Sequence, residues 1–180
     1  MLNKLRNHCW LLLLFTSCRQ TPADYVHFVN DTSNGLTLER NVGKFFYKAQ
    51  LLPADYQILL AHRGNTAISE AERDSLRALY NAYYYLRFEV RTSTDPGISA
   101  TTLQYNAVKN FVLVSGQDSL VAAICQPVAS GKQHTFEYML AFPRTESKGG
   151  ALELVYNDPD RGSPVQHFRF KHENLDVTLF

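Results

Sequence analysis

Side chains able to do chemistry are few and scattered in this 180-residue chain. Three cysteines stand at Cys9, Cys18 and Cys125, and the histidines include His62, His134, His167 and His172. A zinc site needs three or four His, Cys or carboxylate ligands that converge. His134 and Glu137 are separated by an odd interval, as are His167 and His172, so on a strand each pair points to opposite faces and makes no local ligand set. His62, beside Arg63, falls at the end of an expected helix, where a basic side chain complements the macrodipole. The segment Asp158-Pro159-Asp160-Arg161-Gly162 opens like a calcium loop. Ser163 and Arg169 then occupy the positions where an EF-hand requires Gly and Glu, so it reads as a turn. Gly131-Lys132 lacks the rest of a phosphate loop, because Gln126 stands at the first required Gly and Gln133 replaces the magnesium-binding Ser or Thr. No Gly-x-Ser-x-Gly elbow, His-Glu-x-x-His or Gly-x-Gly-x-x-Gly occurs. Local motifs therefore predict no catalytic residues, no cofactor and no metal, although a Ser, His and Asp joined from distant positions would leave no such trace.

The composition frames those residues in one folded domain. Hydrophobic residues make up 45% and charged ones 19% of the chain, which excludes disorder as the main state. Lys and Arg number 18 against 17 Asp and Glu. That balance gives no basic footprint for nucleic acid, which is not an expected partner.

The N-terminus carries the strongest signal. Lys4 and Arg6 precede the apolar run Cys9 to Phe15, and the small residues Thr16 and Ser17 follow. This is the three-part order of a secretory signal, expected over residues 1–17. The run is about half the roughly 20 residues needed to span a bilayer. Phe15-Thr16-Ser17-Cys18 resembles the bacterial lipobox, with Phe15 where Leu is usual. The resemblance implies that the Cys18 thiol is diacylated before cleavage in front of it. Acyl chains contribute about 0.8 kcal/mol per buried methylene, enough for several chains to hold a domain on a membrane. Loss of Lys4 and Arg6 leaves 16 basic against 17 acidic side chains. Arg19 stands where the retention signal of enteric bacteria has Asp, a resemblance that implies the outer membrane. Surface-exported lipoproteins of Bacteroidetes-type bacteria typically show an acidic cluster after the Cys, and the lack of that resemblance after Cys18 implies the periplasmic face. Cys125 would then be the sole remaining thiol, expected as a small buried hydrophobe in the run Leu120 to Cys125.

Periodicity supplies the elements. Residues 18–24 read as a lipidated tether, and residues 25–180 as one domain. Tyr25 to Val29 reads as a first strand, followed by strands over Gly35–Arg40 and Lys44–Leu52, the latter with Phe45, Tyr47, Ala49 and Leu51 on one face. Pro53 opens a short helix to His62, with Tyr56, Leu59 and Leu60 on one side. Ser69-Glu70-Ala71-Glu72 is a capping box for a helix carrying Leu76, Leu79, Tyr80 and Tyr83. From Tyr84 the period becomes 2, with Leu86, Phe88 and Val90 alternating with Arg87, Glu89 and Arg91, so a half-buried strand is expected. A third helix is expected over Ser99–Val114 on the stripe Leu103, Ala107, Phe111 and Val114. Strands follow over Leu120–Cys125, His134–Phe142, Ala151–Tyr156 and Val165–His172. Their short spacing favours antiparallel connections. The expected fold class is α+β, mostly antiparallel β as a sandwich or curled sheet, with two or three helices in the middle of the chain.

In whole-chain layout the sequence resembles small lipoproteins of unknown function from Bacteroidetes-type bacteria. The likeness rests on the lipobox, on Asn34-Gly35-Leu36 before Gly43-Lys44-Phe45, on Leu52-Pro53-Ala54-Asp55-Tyr56, and on Leu152 to Asp158 followed by Phe168-Arg169-Phe170. It implies a location and no activity. Asp74-Ser75-Leu76 and Asp118-Ser119-Leu120 also resemble the O-glycosylation acceptor of exported proteins in that group. The function expected is non-enzymatic: a membrane lipid anchor at Cys18 and a domain that binds an envelope protein partner through an edge strand or an open sheet face. The alternative is a periplasmic enzyme or small-ligand carrier acting on glycan or lipid, with Tyr83 to Tyr85 lining a pocket.

Overall fold

The computed structural model describes residues 21–93, 107–145, 151–159, 164–174 and 176–179. Among them nine strands form two antiparallel sheets, accompanied by three α-helices, so the α+β class dominated by antiparallel strands is what the chain adopts. In chain order the elements are α1 (Pro22–Asn30), β1 (Thr37–Val42), β2 (Phe45–Leu52), α2 (Ala54–Ala61), α3 (Glu70–Asn81) and β3 (Tyr83–Thr92). They continue with β4 (Phe111–Ser115), β5 (Asp118–Val121), β6 (Ile124–Val128), β7 (Thr135–Pro143), β8 (Leu152–Tyr156) and β9 (Gln166–Phe170). Sheet A has the order β1-β2-β3-β7-β6 and sheet B the order β5-β4-β8-β9.

Alternation along the strands decides which faces meet. In sheet A the rows Tyr47–Val90–Phe136, Ala49–Phe88–Tyr138 and Leu51–Leu86–Leu140 share the inner face. Phe111 and Leu113 of β4, Leu154 and Tyr156 of β8, and Phe168 of β9 are buried opposite them. The Phe88 ring joins the two sheets, with its centroid 5.1 Å from Phe111, 4.6 Å from Tyr156 and 5.8 Å from Phe168. Such offset and edge-on aromatic packing fills the space between sheets and fixes their spacing.

The helices cover part of the opposite, outer face of sheet A. Asn30 at the end of α1 accepts from Gln50 Nε2 at 2.7 Å, and Thr37 Oγ1 donates to Val29 O at 2.8 Å. The Tyr80 ring of α3 stacks edge-on against Tyr85 at 5.9 Å. One side of the sandwich is closed where Gly35 meets the end of β9: Lys171 N donates to Gly35 O at 3.3 Å. Gly35 has φ +68°, and a Cβ there would lie 2.5 Å from Lys171 Cγ, so only glycine fits this approach.

Helix α2, helix α3 and strands β1–β3 and β7–β9 lie where the sequence places them, to within a few residues. Several expectations are corrected. Tyr25–Val29 is not a strand, and the tether does not extend to residue 24, because α1 begins at Pro22. Thr21 Oγ1 accepts from Asp24 N at 3.2 Å while Asp24 Oδ2 accepts from Thr21 N at 3.1 Å, a reciprocal cap with proline in the first turn. Tyr25 and Val29, one helical turn apart, are the residues it buries.

The helix expected over Ser99–Val114 is also corrected. Residues 94–106 lie outside the described residues, 107–110 form a 3-10 turn, and Phe111–Ser115 is strand β4 with alternating burial. The β-branched pair Val112 and Val114 favours the extended form there. The run Leu120–Cys125 is not one buried strand. It divides between β5 in sheet B and β6 in sheet A, and Val121 and Ile124 are exposed. Helices α2 and α3 lie between β2 and β3, as the two helices expected in the middle of the chain, and α1 precedes every strand. On α2, Leu60 is exposed, and Ile58 is buried beside Tyr56 and Leu59.

Candidate functional site

Beyond the helices, the outer face of sheet A carries rows of charged and polar side chains. Antiparallel register aligns Glu39, Lys48, Glu89 and Glu137 in one row across β1, β2, β3 and β7, and Thr37, Gln50, Arg87 and Met139 in the next. Glu89 and Glu137 face each other directly, an opposition that costs stability unless cations interleave. They do interleave. Arg87 pairs with Glu137, Arg91 Nε lies 2.7 Å from Glu89, and Lys132 Nζ lies 3.7 Å from the same carboxylate. Lys48 pairs with Glu39 at 3.1 Å. The hydrogen bond to Glu137 raises the Arg87 guanidinium above its ordinary value, against the opposing effect of burial.

Part of this network lines a cavity of about 210 Å³. Its floor is Lys48 and Gln50 of β2 with Arg87 and Glu89 of β3. Asn30 and Tyr56 form the helical wall, and Lys132, from the turn before β7, closes the other side. The amide of the buried Gln50 is held by Asn30, which keeps the floor in one arrangement. Such a lining offers alternating donors and acceptors to a hydrophilic group. It holds no Ser, Cys or His, and thus no nucleophile–imidazole pair for group transfer. Among the described residues no group of three or more His, Cys, Asp or Glu could hold a metal ion.

The same face continues onto β6, an edge strand. Register puts Ile124 beside Ala141 and Val128 beside Glu137, and both aliphatic side chains are exposed. Pro127 lies within β6, where its missing N–H is tolerated because the strand has a neighbour on one side alone. On the outer face of sheet B, burial opposes ionisation of Glu153, but hydrogen bonds from His167 and Arg169, at 2.7 and 3.2 Å, lower its carboxyl on balance. This group therefore stabilises the fold above the carboxylate range, and that contribution fades as the pH falls through the lowered value.

Residues singled out in the sequence fall as follows. Cys18 lies outside the described residues. His62 caps α2, and His134 sits at φ +54° in the turn before β7. Tyr83 and Tyr85 meet at 6.0 Å on the outer face, where Tyr85 also contacts Tyr80 of α3, while Tyr84 faces the other side of β3 under the Arg144 guanidinium at 4.7 Å, so the three rings form no single platform. Ser75 is exposed on α3 with its hydroxyl donating to Ala71 O, and Ser119 is exposed on β5. The cavity residues themselves carry no motif. The one signal available was the run of polar residues at alternate positions of β2 and β3.

Cys125 is half-buried on β6 opposite Leu140, and burial pushes its thiol up to about 11. The thiolate is the reactive form. At pH 8 the folded protein should react with a thiol-disulfide reagent about a hundredfold more slowly than a free cysteine of ordinary pKa, with the rate rising about tenfold per pH unit. Stopped-flow absorbance checks this; equal rates for the native and urea-unfolded protein would contradict it.

Compared with protein-family models, with curated proteins and with solved structures, the chain gives no significant match.

Proposed function

We propose that this chain is a lipoprotein of the bacterial outer membrane, anchored on the periplasmic face through Cys18, whose domain binds another envelope component without catalysis. The carrying observation is the outer face of sheet A. It joins a charged cavity to an exposed aliphatic edge, in front of an interior already filled by aromatic side chains. A surface that sets fixed charges beside exposed apolar side chains suits recognition of a partner. The pattern of the cavity lining, with cations from β2, β3 and the turn before β7, gives that recognition an orientation.

Two measurements test this. Cys18→Ala should abolish acyl labelling and release the protein from the membrane fraction; continued labelling would refute the lipid site. The acylated protein should also recover a partner from detergent-solubilised envelopes, and Lys48→Glu/Lys132→Glu, two substitutions of solvent-reaching side chains, should lose it. Recovery of nothing above controls would overturn the binding role.

A second reading, a small-ligand carrier, draws on the volume of the cavity. The hydrophilic lining favours a glycan fragment over a lipid chain, and the Tyr83 to Tyr85 cluster takes no part in it.

A further inference from the structure

We infer that the end of the domain bearing the first turn of α1 is seated against the phospholipid headgroups of the membrane that holds the anchor. The inference rests on acylation at Cys18 and adds where the domain must lie. Cys18 stands three residues before Thr21, the residue that caps α1. A chain spans at most about 3.5 Å per residue, so Thr21 lies within roughly 10 Å of the acylated residue whatever path the intervening residues take. The headgroup layer is itself roughly 6 Å deep on each side of the hydrocarbon. A domain of this length has a radius of gyration of roughly 15 Å, larger than the available reach. The anchor therefore brings one end of the molecule to the bilayer and denies that contact to the opposite edge.

The residues at that end are defined by the fold. Ala23 is exposed in the first turn of α1, with His27 one turn further on. The C-terminal segment joins them, because Tyr25 Oη donates to Val177 O at 2.9 Å. Arg19 is the one Lys or Arg between Cys18 and Asn34, and a lone cation is no polybasic cluster, so chain length rather than attraction to anionic lipid sets the seat. Helix α1 then acts as a spacer. Its nine residues span about 13 Å, and its last residue, Asn30, lines the cavity described above. The cavity is held close to the membrane, within reach of a partner that is itself membrane-bound.

The test uses the full acylated protein, purified from membranes in a Cys125→Ser background and carrying a fluorophore at Ala23→Cys or at Val121→Cys. Val121 is exposed on β5, at the edge of sheet B away from β9. The protein is reconstituted in phosphatidylethanolamine–phosphatidylglycerol vesicles bearing a nickel-chelating headgroup as quencher. Quenching should be severalfold stronger at Ala23 than at Val121, and insensitive to salt. Equal quenching at both sites, with intact mass showing the acyl chains, would overturn the seat while leaving the lipid anchor standing. An intact mass without acyl chains would overturn the anchor, and the seat with it. A 15-residue Gly-Ser insertion between Gln20 and Thr21, with a root-mean-square reach of roughly 20 Å, should erase the contrast. Its persistence would overturn chain length as the cause.

Discussion

Phe88→Ala is expected to lower the unfolding free energy by about 3–5 kcal/mol. Phe88 is fully buried at the centre of β3, and its ring meets Phe111 and Tyr156 of one sheet and Tyr47 of its own. Truncation removes the aromatic transfer energy and leaves a void that two hydrogen-bonded sheets cannot collapse to fill. Urea denaturation monitored by circular dichroism gives the loss as a fall in midpoint at constant slope. Phe88→Leu, which keeps most of the volume, should cost about 1 kcal/mol. Phe46 provides the internal comparison, since it lies on the outer face of sheet A with the Arg91 guanidinium 4.0 Å from its ring centroid. Phe46→Ala should cost under about 1 kcal/mol, the range of an exposed cation–π contact. Equal losses at Phe46 and Phe88 would mean that the sheets do not meet through Phe88.

Asp55→Ala is expected to cost about 3 kcal/mol, the low end of the range for breaking a buried ion pair. The Asp55 carboxylate on α2 is nearly inaccessible and accepts from Arg77 Nε at 2.6 Å, Arg77 Nη2 at 2.8 Å and Leu179 N at 2.7 Å. One side chain thus joins α2, α3 and the C-terminal segment. Its removal leaves the Arg77 guanidinium without this bidentate partner and the Leu179 amide without an acceptor. Arg77 keeps a quarter of its side-chain surface in water, which is why the expected loss sits at the low end. Asp55→Asn, retaining an acceptor for Leu179, should lose less. Hydrogen exchange separates the two contributions: the amide of Leu179 should exchange faster in Asp55→Ala while β3 and β7 change with global stability alone. A loss below about 0.5 kcal/mol would show that solvent replaces the pair at no cost, as at surface ion pairs.

The two variants probe different kinds of legibility. Phe88 could be found in the sequence, because the alternation Leu86, Phe88, Val90 against Arg87, Glu89, Arg91 marks one face of a strand as apolar. The polar residues of the same segment were equally visible, yet nothing local shows that Arg87 and Glu89 converge with Lys48, Gln50 and Lys132. That convergence depends on strand register and on a turn more than 40 residues further along the chain. The Asp55–Arg77 pair was hidden for the same reason, since it joins two helices whose separate signals carry no information about their packing.

The misread segments have local causes. Thr21-Pro22-Ala23-Asp24 already holds a reciprocal cap and a first-turn proline, but the β-prone residues Tyr25, Val26, Phe28 and Val29 suit either period over so short a stretch. Ala107 and Phe111 suit a helix by spacing, and the pairing of β4 with β5 and β8 decides for the strand. Leu120 to Cys125 is apolar throughout, and only the passage of the chain from sheet B to sheet A shows that Val121 and Ile124 face outward.

By itself the sequence determined the elements whose instructions are carried by neighbouring residues: the capped helix α3, the proline-started helix α2, and strands whose alternation selects an inner face. These follow from interactions within a few residues of chain, where periodicity and capping act. Tertiary structure decided which strands pair, which polar side chains share the cavity, and how Asp55 gathers two helices and the chain end. Those features depend on contacts between residues far apart in the chain, and their energies arise only once burial has removed water from the groups involved.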